Sequence, residues 1–180
     1  MLSAKQVTKL ERAFALERQR FMDDPSYARS MAVHPCHGRI GEWITPDVGT
    51  KVLELGVGPG RYAALLQALG FETIGVDPIA YDSWEPLGRR GRMKFMSGIK
   101  AEALPFEDRT FDHVACMGAL LYFEDPERAL QEIRRVLKPG GHLVVRTQNR
   151  RNLYAVSMGK PLEPAAHNFY TLQELESLTG

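Results

Sequence analysis

The sequence predicts an α/β fold, in which the strands of a parallel sheet alternate with helices. From Lys51 onward, short apolar runs alternate with segments of helical periodicity, and glycine or proline separates them. One of these helices has a typical start, because Asp125 can cap it and Pro126 suits its first position. Repeated strand–helix units of this kind imply a parallel sheet with right-handed crossovers.

The strands predicted after Lys51 are 51–55, 72–76, 93–97, 111–117 and 142–147. The helix after the first strand should end at Gly70, a typical C-terminal glycine. The segment 81–91 contains Pro86 and two glycines, so its helix should be short or broken. The run Lys138-Pro139-Gly140-Gly141 should end the helix that Asp125 begins.

The first third of the chain predicts a helical cover that precedes the sheet. Ser3 and Gln6 fit a capping box before a charged helix, and its apolar positions form only a narrow stripe. We therefore expect this helix to lie on a surface or over a cleft. The predicted boundaries are a cover or lid over 1–48 and a sheet domain over 49–180.

Bulk composition narrows the class of protein. A chain of 180 residues can bury a sizeable core, and a net charge of +1 gives no reason to expect a nucleic-acid partner. No apolar run approaches the ~20 residues of a membrane span, and the N-terminus lacks the apolar core of a secretory signal. Because Cys36 and Cys116 provide no disulfide framework, we expect a reduced, cytoplasmic protein.

The stretch 51–66 predicts a ligand site between the first strand and its helix. Gly56, Gly58 and Gly60 allow the backbone to approach a ligand, and a helix N-terminus presents unpaired N–H groups to it. Glu54 is the only charge inside the apolar run, and it lies where a strand leaves the sheet. Open α/β folds bind ligands at that end of their strands, so we expect a cofactor here.

Two nucleotide interpretations compete for this turn. A dinucleotide fingerprint would place its third small residue at position 61, which is Arg61, and no Gly-Lys-Ser/Thr follows for a phosphate loop. Asp77, about 20 residues beyond the glycines, can accept both ribose hydroxyls of either kind of cofactor. An acid at position 54 suits a cationic or amine-bearing ligand better than a pyrophosphate.

The pattern Glu54-x-Gly56-x-Gly58-x-Gly60 resembles the first motif of class I S-adenosylmethionine-dependent methyltransferases. Later stretches resemble the same family, particularly its ubiquinone/menaquinone methyltransferase-like branch, and they are 101–106, 111–112 and 135–141. The resemblance covers roughly residues 50 to 150. It implies a Rossmann-like, doubly wound sheet with strands one to five parallel, S-adenosyl-L-methionine as cofactor and S-adenosyl-L-homocysteine as product.

The resemblance also implies which residues contact the cofactor. The methionine part should lie at the turn, beside Glu54, Gly56, Val57 and Gly58, while Gly60 lets the helix pack closely. Asp77 should hold the ribose. The adenine should lie beside Pro78, Ile79, Lys100 and Ala101, with Met117 next to the ring or the sulfonium. Many relatives have Asp or Asn at position 100, and a lysine offers only its backbone or a solvent-facing amine.

In the resembled family the sheet continues beyond 172–178 with an antiparallel hairpin, whereas this chain stops at Gly180. We therefore expect a chain truncated before the final strands. Strand five would then be an open edge, which could pair with a second copy and form a homodimer.

No residue is predicted as a catalytic base or a metal ligand. Methyl transfer mainly requires aligned reactants and exclusion of water. His34, His37 and His167 could reach an acceptor, although we expect a surface role for each. The cluster His34-Pro35-Cys36-His37 lacks the second ligand pair of a closed zinc site.

The acceptor is predicted only by class. Cys116-Met117-Gly118-Ala119 follows strand four, without the Asn/Asp-Pro-Pro-Tyr signature of amino-group methyltransferases or the Asp cluster of metal-dependent ones. The basic runs 89–94 and 146–151 are typical of solvated faces. We therefore expect a methyltransferase with a small-molecule or lipid-like acceptor; the alternatives are a non-catalytic S-adenosylmethionine-binding or partner subunit, and a nicotinamide dehydrogenase, which Arg61 disfavours.

Overall fold

The computed structural model describes residues 3–147 except Pro46 and Val48, and in addition Tyr170, Thr171, Gln173, Glu174 and Ser177. The stretch 148–169, with Arg150, Arg151 and His167, lies outside the described residues. So does most of the end of the chain, to which the expectation about the missing final strands applies.

One parallel sheet forms the centre of the fold, with the strand order β3-β2-β1-β4-β5. The strands are β1 (Lys51–Leu55), β2 (Glu72–Asp77), β3 (Met93–Ser97), β4 (Phe111–Met117) and β5 (Leu137–Arg146). The order reverses between β1 and β4, so the carboxyl ends of these two neighbours flank a crevice where such folds bind ligands. The predicted Rossmann-like topology is therefore confirmed.

Strand β5 begins earlier than the predicted limits of 142–147. Leu137 already pairs with Phe111, and a bulge follows before regular pairing resumes at His142. Glycine makes this possible at Gly141, where an added Cβ would lie 2.3 Å from the carbonyl oxygen of Asp112. The run of proline and glycine that was expected only to end a helix thus also shapes the start of the strand.

Helices cover both faces of the sheet. The chain forms α1 (Ala4–Asp23), α2 (Pro25–Ala32), α3 (Ile40–Trp43), α4 (Arg61–Leu69), α5 (Trp84–Arg89) and α6 (Pro126–Val136). One apolar cluster joins α4 and the N-terminal helices to one face, with Phe21, Leu66 and Met117 among its members. A second cluster, which includes Leu53 and Ile133, lies under α6 on the opposite face. The sheet is therefore doubly wound.

The N-terminal helices share a core with the sheet. Ser3 caps α1 through the predicted box with Gln6, and Phe21 at the other end of α1 is fully buried. Ala28 on α2 and Ile40 on α3 belong to the same apolar cluster. Helix α1 lies against α4, which follows the glycine turn, so this cover rests beside the predicted cofactor site.

Two features of the described residues bear on partners. Within 3–147, no helix is long and apolar enough to cross a membrane. The basic run 89–94 is largely neutralised, because Arg89 pairs with Glu85, Arg90 with Asp23, and Arg92 lies 3.8 Å from Glu72. These pairs agree with a solvated face.

Candidate cofactor-binding site

Glu54 is a buried carboxylate at the carboxyl end of β1. The residue is only 2% exposed, and Oε2 has no hydrogen-bond partner among the described residues. Burial and then the negative charge of Asp77 raise the pKa of Glu54 well above its usual range. A buried acceptor without a donor is costly, so this position suits a ligand that brings a positive charge or an N–H group.

The turn after β1 is tight because its backbone is bonded to β2 and to itself. The amides of Gly56 and Val57 donate to the carbonyl of Val76 over 2.9 and 3.1 Å, and Gly60 donates to Val57 over 3.0 Å. Gly56 has a φ of 64°, and an added Cβ would lie 2.2 Å from Cβ of Ala119. Only glycine fits between this turn and the segment that follows β4.

Gly58 presents an open face. It has a φ of 51°, and no atom of the described residues lies within 4 Å of the place where a Cβ would be. Its amide donates to Oδ2 of Asp77 over 3.0 Å, and its carbonyl accepts from Nε1 of Trp84 over 2.7 Å. The turn is therefore held from behind while one side of its backbone stays open to a ligand.

Asp77 ends β2 beside this turn and is 8% exposed. Besides the bond from Gly58, it accepts from the amide of Ile79 over 2.9 Å. Burial raises the pKa of Asp77, although these two hydrogen bonds oppose the shift. Pro78 is exposed and Ile79 half-buried, so both lie on the surface next to the acid, as expected of residues that flank an adenine.

The segment after β3 returns to Asp77, whose carbonyl accepts from Ile99 over 3.3 Å. Ala101 is buried there. The Lys100 ammonium instead points to Glu124, with Nζ 2.7 Å from Oε2, and its side chain is about half exposed. Met117 is buried at the end of β4, where its Cε lies 3.3 Å from the place a Cβ on Gly38 would occupy. The cover thus reaches over Met117.

The structure brings together the predicted residues on β1, β2 and the turn, which are Glu54, Gly56, Val57, Gly58, Gly60, Asp77, Pro78 and Ile79. Val57 serves the turn itself, since its side chain packs against Gly75 and both its backbone groups are hydrogen-bonded. Gly60 lies under Leu87, with 2.7 Å from an added Cβ to Cδ1. Contact of these residues with a cofactor stays a prediction.

The expectation of a surface role is wrong for His37. Its side chain is fully buried, on the 3₁₀ turn after α2, with ring centroids 5.6 Å from both Phe21 and Tyr62. Nε2 lies 3.4 Å from Oε1 of Glu17. Burial, followed by the positive charge of Arg61, lowers the pKa of His37 to about 4. The imidazole is therefore neutral at pH 7.

Sequence reasoning missed the charged residues by which α1 contacts the start of α4 and the residue before α5. Glu17 pairs with Arg61, and Glu11 accepts from the amide of Ser83 over 3.0 Å. Arg18 is buried as well. Residues 11, 14, 18 and 21 lie on one face of α1. The signal available in the sequence was therefore that charged residues occupy positions with the spacing of core residues. Within the described part of the chain, no group of three or more His, Cys, Asp or Glu side chains could hold a metal ion.

These groups fit S-adenosylmethionine. The orphaned Glu54 oxygen suits a positively charged ligand, and the open face of Gly58 admits one close to the backbone. Asp77 retains lone pairs for ribose hydroxyls, because each of its oxygens accepts only one backbone bond. The same acids would oppose a pyrophosphate.

Comparison with known proteins agrees with this geometry. The model of a family described as "Methyltransferase domain" matches residues 53–145. The ubiquinone/menaquinone biosynthesis C-methyltransferase UbiE of Haemophilus ducreyi is 32% identical over 144 residues, covering 73% of this chain and 51% of that protein. The demethylmenaquinone methyltransferase of Clavibacter sepedonicus is 34% identical over 107 residues, covering 57% and 42%. The chain spans about half the length of these relatives or less.

A solved structure extends the similarity to the fold. A SAM-dependent methyltransferase of Thermotoga maritima is 28% identical with a TM-score of 0.62, over 97% of this chain and 76% of that one. The matched family model covers most of β1, the glycine turn and β4, where the candidate site lies. The chain therefore belongs to the methyltransferase-domain family of class I S-adenosylmethionine-dependent methyltransferases.

Proposed function

We propose that the protein transfers a methyl group from S-adenosylmethionine to a small-molecule or lipid-like acceptor. The buried Glu54 carboxylate with its unpartnered oxygen, set against the open face of Gly58, is the observation that carries this proposal. The cofactor supplies an electrophilic methyl group on a sulfonium. The residues of this chain bind and orient it: Glu54 at the methionine part, Asp77 at the ribose and Ile79 at the adenine.

The acceptor is proposed to enter between the cover and the end of β4. Met117 is buried at that strand end, Gly38 lies over it, and Arg146 on β5 lies next to both, with its Cβ 3.6 Å from an added Cβ on Gly38. Burial of Met117 there would limit the access of water to the displacement. Because two relatives carry names that refer to quinone methylation, reduced demethylmenaquinone is the first acceptor to test.

The test has two stages. Calorimetry should show binding of S-adenosylmethionine and of S-adenosylhomocysteine, the proposed product. Transfer of labelled methyl from the cofactor to reduced demethylmenaquinone, and then to simpler phenols and amines, should follow. Asp77→Ala is the matched control, since it should lose both signals. Absence of cofactor binding in the folded protein would contradict the proposal.

A non-catalytic cofactor-binding or partner subunit is the second candidate. It is favoured by Lys100, whose ammonium points to Glu124 at a position where the resembled family often has an acid. Cofactor binding without methyl transfer to any acceptor would support this candidate, and turnover by the isolated chain would exclude it. Homodimer formation through the β5 edge and a cytoplasmic location remain proposals, which light scattering and cell fractionation would test.

A further inference from the structure

Arg18 is a buried cation on α1. Its side chain is 8% exposed, and Nη1 has no hydrogen-bond acceptor among the described residues. The nearby acid is Glu11, whose Oε1 already accepts from the amide of Ser83. Burial of an incompletely paired guanidinium destabilises the folded protein, so a role in binding would explain it.

The neighbours of Arg18 on α1 locate it. Arg18 shares one helix face with Phe14 and Phe21, four residues before it and three after it. The Arg61 guanidinium lies 4.8 Å from the ring centroid of Phe14, while Phe21 is 5.6 Å from His37. On α1, Arg18 therefore lies between Phe14, which contacts the first residue of α4, and Phe21, which contacts His37 of the cover. It lies on the side of α1 that faces the N-terminus of α4.

The N-terminus of α4 is itself suited to an anion. Gly60 is the N-cap of this nine-residue helix, and because it has no side chain it provides no cap hydrogen bond to the first turn. The unpaired N–H groups there carry partial positive charge. Arg61, the first helical residue, is committed to Glu17 through its side chain. A carboxylate at this end could therefore bond to backbone N–H groups and to Nη1 of Arg18 together.

We propose that Arg18 binds a carboxylate, namely that of the amino-acid part of the cofactor, beside the N-terminus of α4. This inference rests on the proposed function. An amino-acid moiety carries an ammonium and a carboxylate, and among the described residues Oε2 of Glu54 and Nη1 of Arg18 are buried atoms of opposite sign without a hydrogen-bond partner. Glu54 suits the ammonium at the end of β1, and Arg18 suits the carboxylate on the cover. The cover is thus part of the cofactor site.

The experiment compares two ligands that differ only in this group. Calorimetry is performed on the full chain and on Arg18→Gln, with S-adenosylmethionine and with decarboxylated S-adenosylmethionine. Loss of a charge-assisted hydrogen bond should weaken binding of S-adenosylmethionine to Arg18→Gln by roughly tenfold to a hundredfold. Binding of the decarboxylated ligand should change by less than about threefold, because it has no carboxylate to lose.

Controls separate this role from a structural one. Arg12→Gln removes an exposed arginine from the same helix and should leave both affinities unchanged. Arg18→Lys keeps the charge and should retain part of the preference for the carboxylate. Thermal unfolding shows which variants are folded. If Arg18→Gln is not folded, the ratio of the affinities of Arg18→Lys for the two ligands provides the test.

Two results would overturn the inference while leaving the proposed function intact. One is an equal loss of affinity for both ligands in Arg18→Gln. The other is unchanged cofactor binding with a raised KM for a carboxylate-bearing acceptor, which would assign Arg18 to the acceptor instead. If the unmodified chain binds neither ligand, the proposed function fails first and this inference falls with it.

Discussion

Glu54 and Asp77 place two buried carboxyl groups at the carboxyl ends of neighbouring parallel strands. Glu54 is in register with Gly75, two residues before Asp77. Asp77 is held by the amides of Gly58 and Ile79, whereas Oε2 of Glu54 has no donor within the part of the chain that the structure describes. Burial, together with the charge of Asp77, raises the pKa of Glu54. A bound cation would remove this repulsion.

Glu54→Gln should stabilise the free protein and weaken the cofactor complex. When folding raises the pKa of a carboxyl group, the folded protein loses stability as pH rises through the unfolded pKa of that group. At pH 7 the ionisation of Glu54 therefore opposes folding. The amide removes that cost, and a gain on the order of 1 kcal/mol corresponds to about 2–4 °C in Tm. Thermal unfolding and calorimetry measure the two effects. Glu107→Gln, at an exposed position, should change neither. A lower Tm combined with unchanged affinity would contradict the assignment.

Cofactor binding should release a proton from Glu54. In the free protein the raised pKa favours the protonated acid, while a cationic ligand favours the carboxylate. Affinity should therefore increase as pH rises toward the raised pKa of Glu54. Calorimetry in buffers of different ionisation enthalpy should give heats that vary with the buffer. Glu54→Gln should abolish most of that variation; the same slope in the variant would assign the proton to another group.

Asp77→Ala should weaken cofactor binding far more than Lys100→Ala. Asp77 is buried beside the turn and fixes the amide of Gly58, while the Lys100 ammonium is exposed and bonded to Glu124. We expect Asp77→Ala to weaken cofactor binding roughly tenfold or more, because a buried charge-assisted bond is lost. We expect Lys100→Ala to weaken it by less than about threefold, because only an exposed ion pair is lost. Calorimetry on both variants measures this. Equal losses would count against the placement of the ribose at Asp77.

His37→Gln should flatten the loss of stability toward acid pH. The pKa of His37 is lowered to about 4, so protonation favours the unfolded chain as pH falls below about 6.5. Between pH 7 and pH 5, protonation of His37 in the unfolded chain should lower the free energy of unfolding by about 2 kcal/mol, because the side chain is fully buried in the folded protein. Urea unfolding at both pH values measures the difference between variant and parent. His142→Gln, at an exposed position, should retain most of the slope; a parallel slope in His37→Gln would show that His37 does not titrate on unfolding.

The sheet and the glycine turn could be predicted because local patterns specify them. The strand limits follow from apolar runs, and adjacent parallel strands must end at the same edge, which places Glu54 near Asp77. The burial of His37 and Arg18 could not be predicted in this way, because it depends on how the cover packs against α4. The bulge that begins β5 depends likewise on the approach of Asp112 to Gly141 across two strands.

Gly56→Ala and Gly58→Ala should fail for different reasons. Both glycines have positive φ, which costs an alanine roughly 1–2 kcal/mol. At position 56 the new methyl would also meet Cβ of Ala119 at 2.2 Å, so this variant should unfold at a markedly lower temperature. At position 58 no atom lies within 4 Å, so the variant should fold but block the open face and lose cofactor affinity.

A second substitution separates the steric part of the Gly56→Ala effect from the backbone part. Ala119→Gly removes the methyl group that the new side chain would strike, so the double variant should regain part of the lost stability. The double variant should not recover the stability that the positive φ at position 56 costs. Thermal unfolding of the two single variants and the double variant gives the coupling energy. Additive effects would mean that the turn after β1 and the segment after β4 do not meet at this point, and the crevice between β1 and β4 would then be wider than the contact of Gly56 with Ala119 allows.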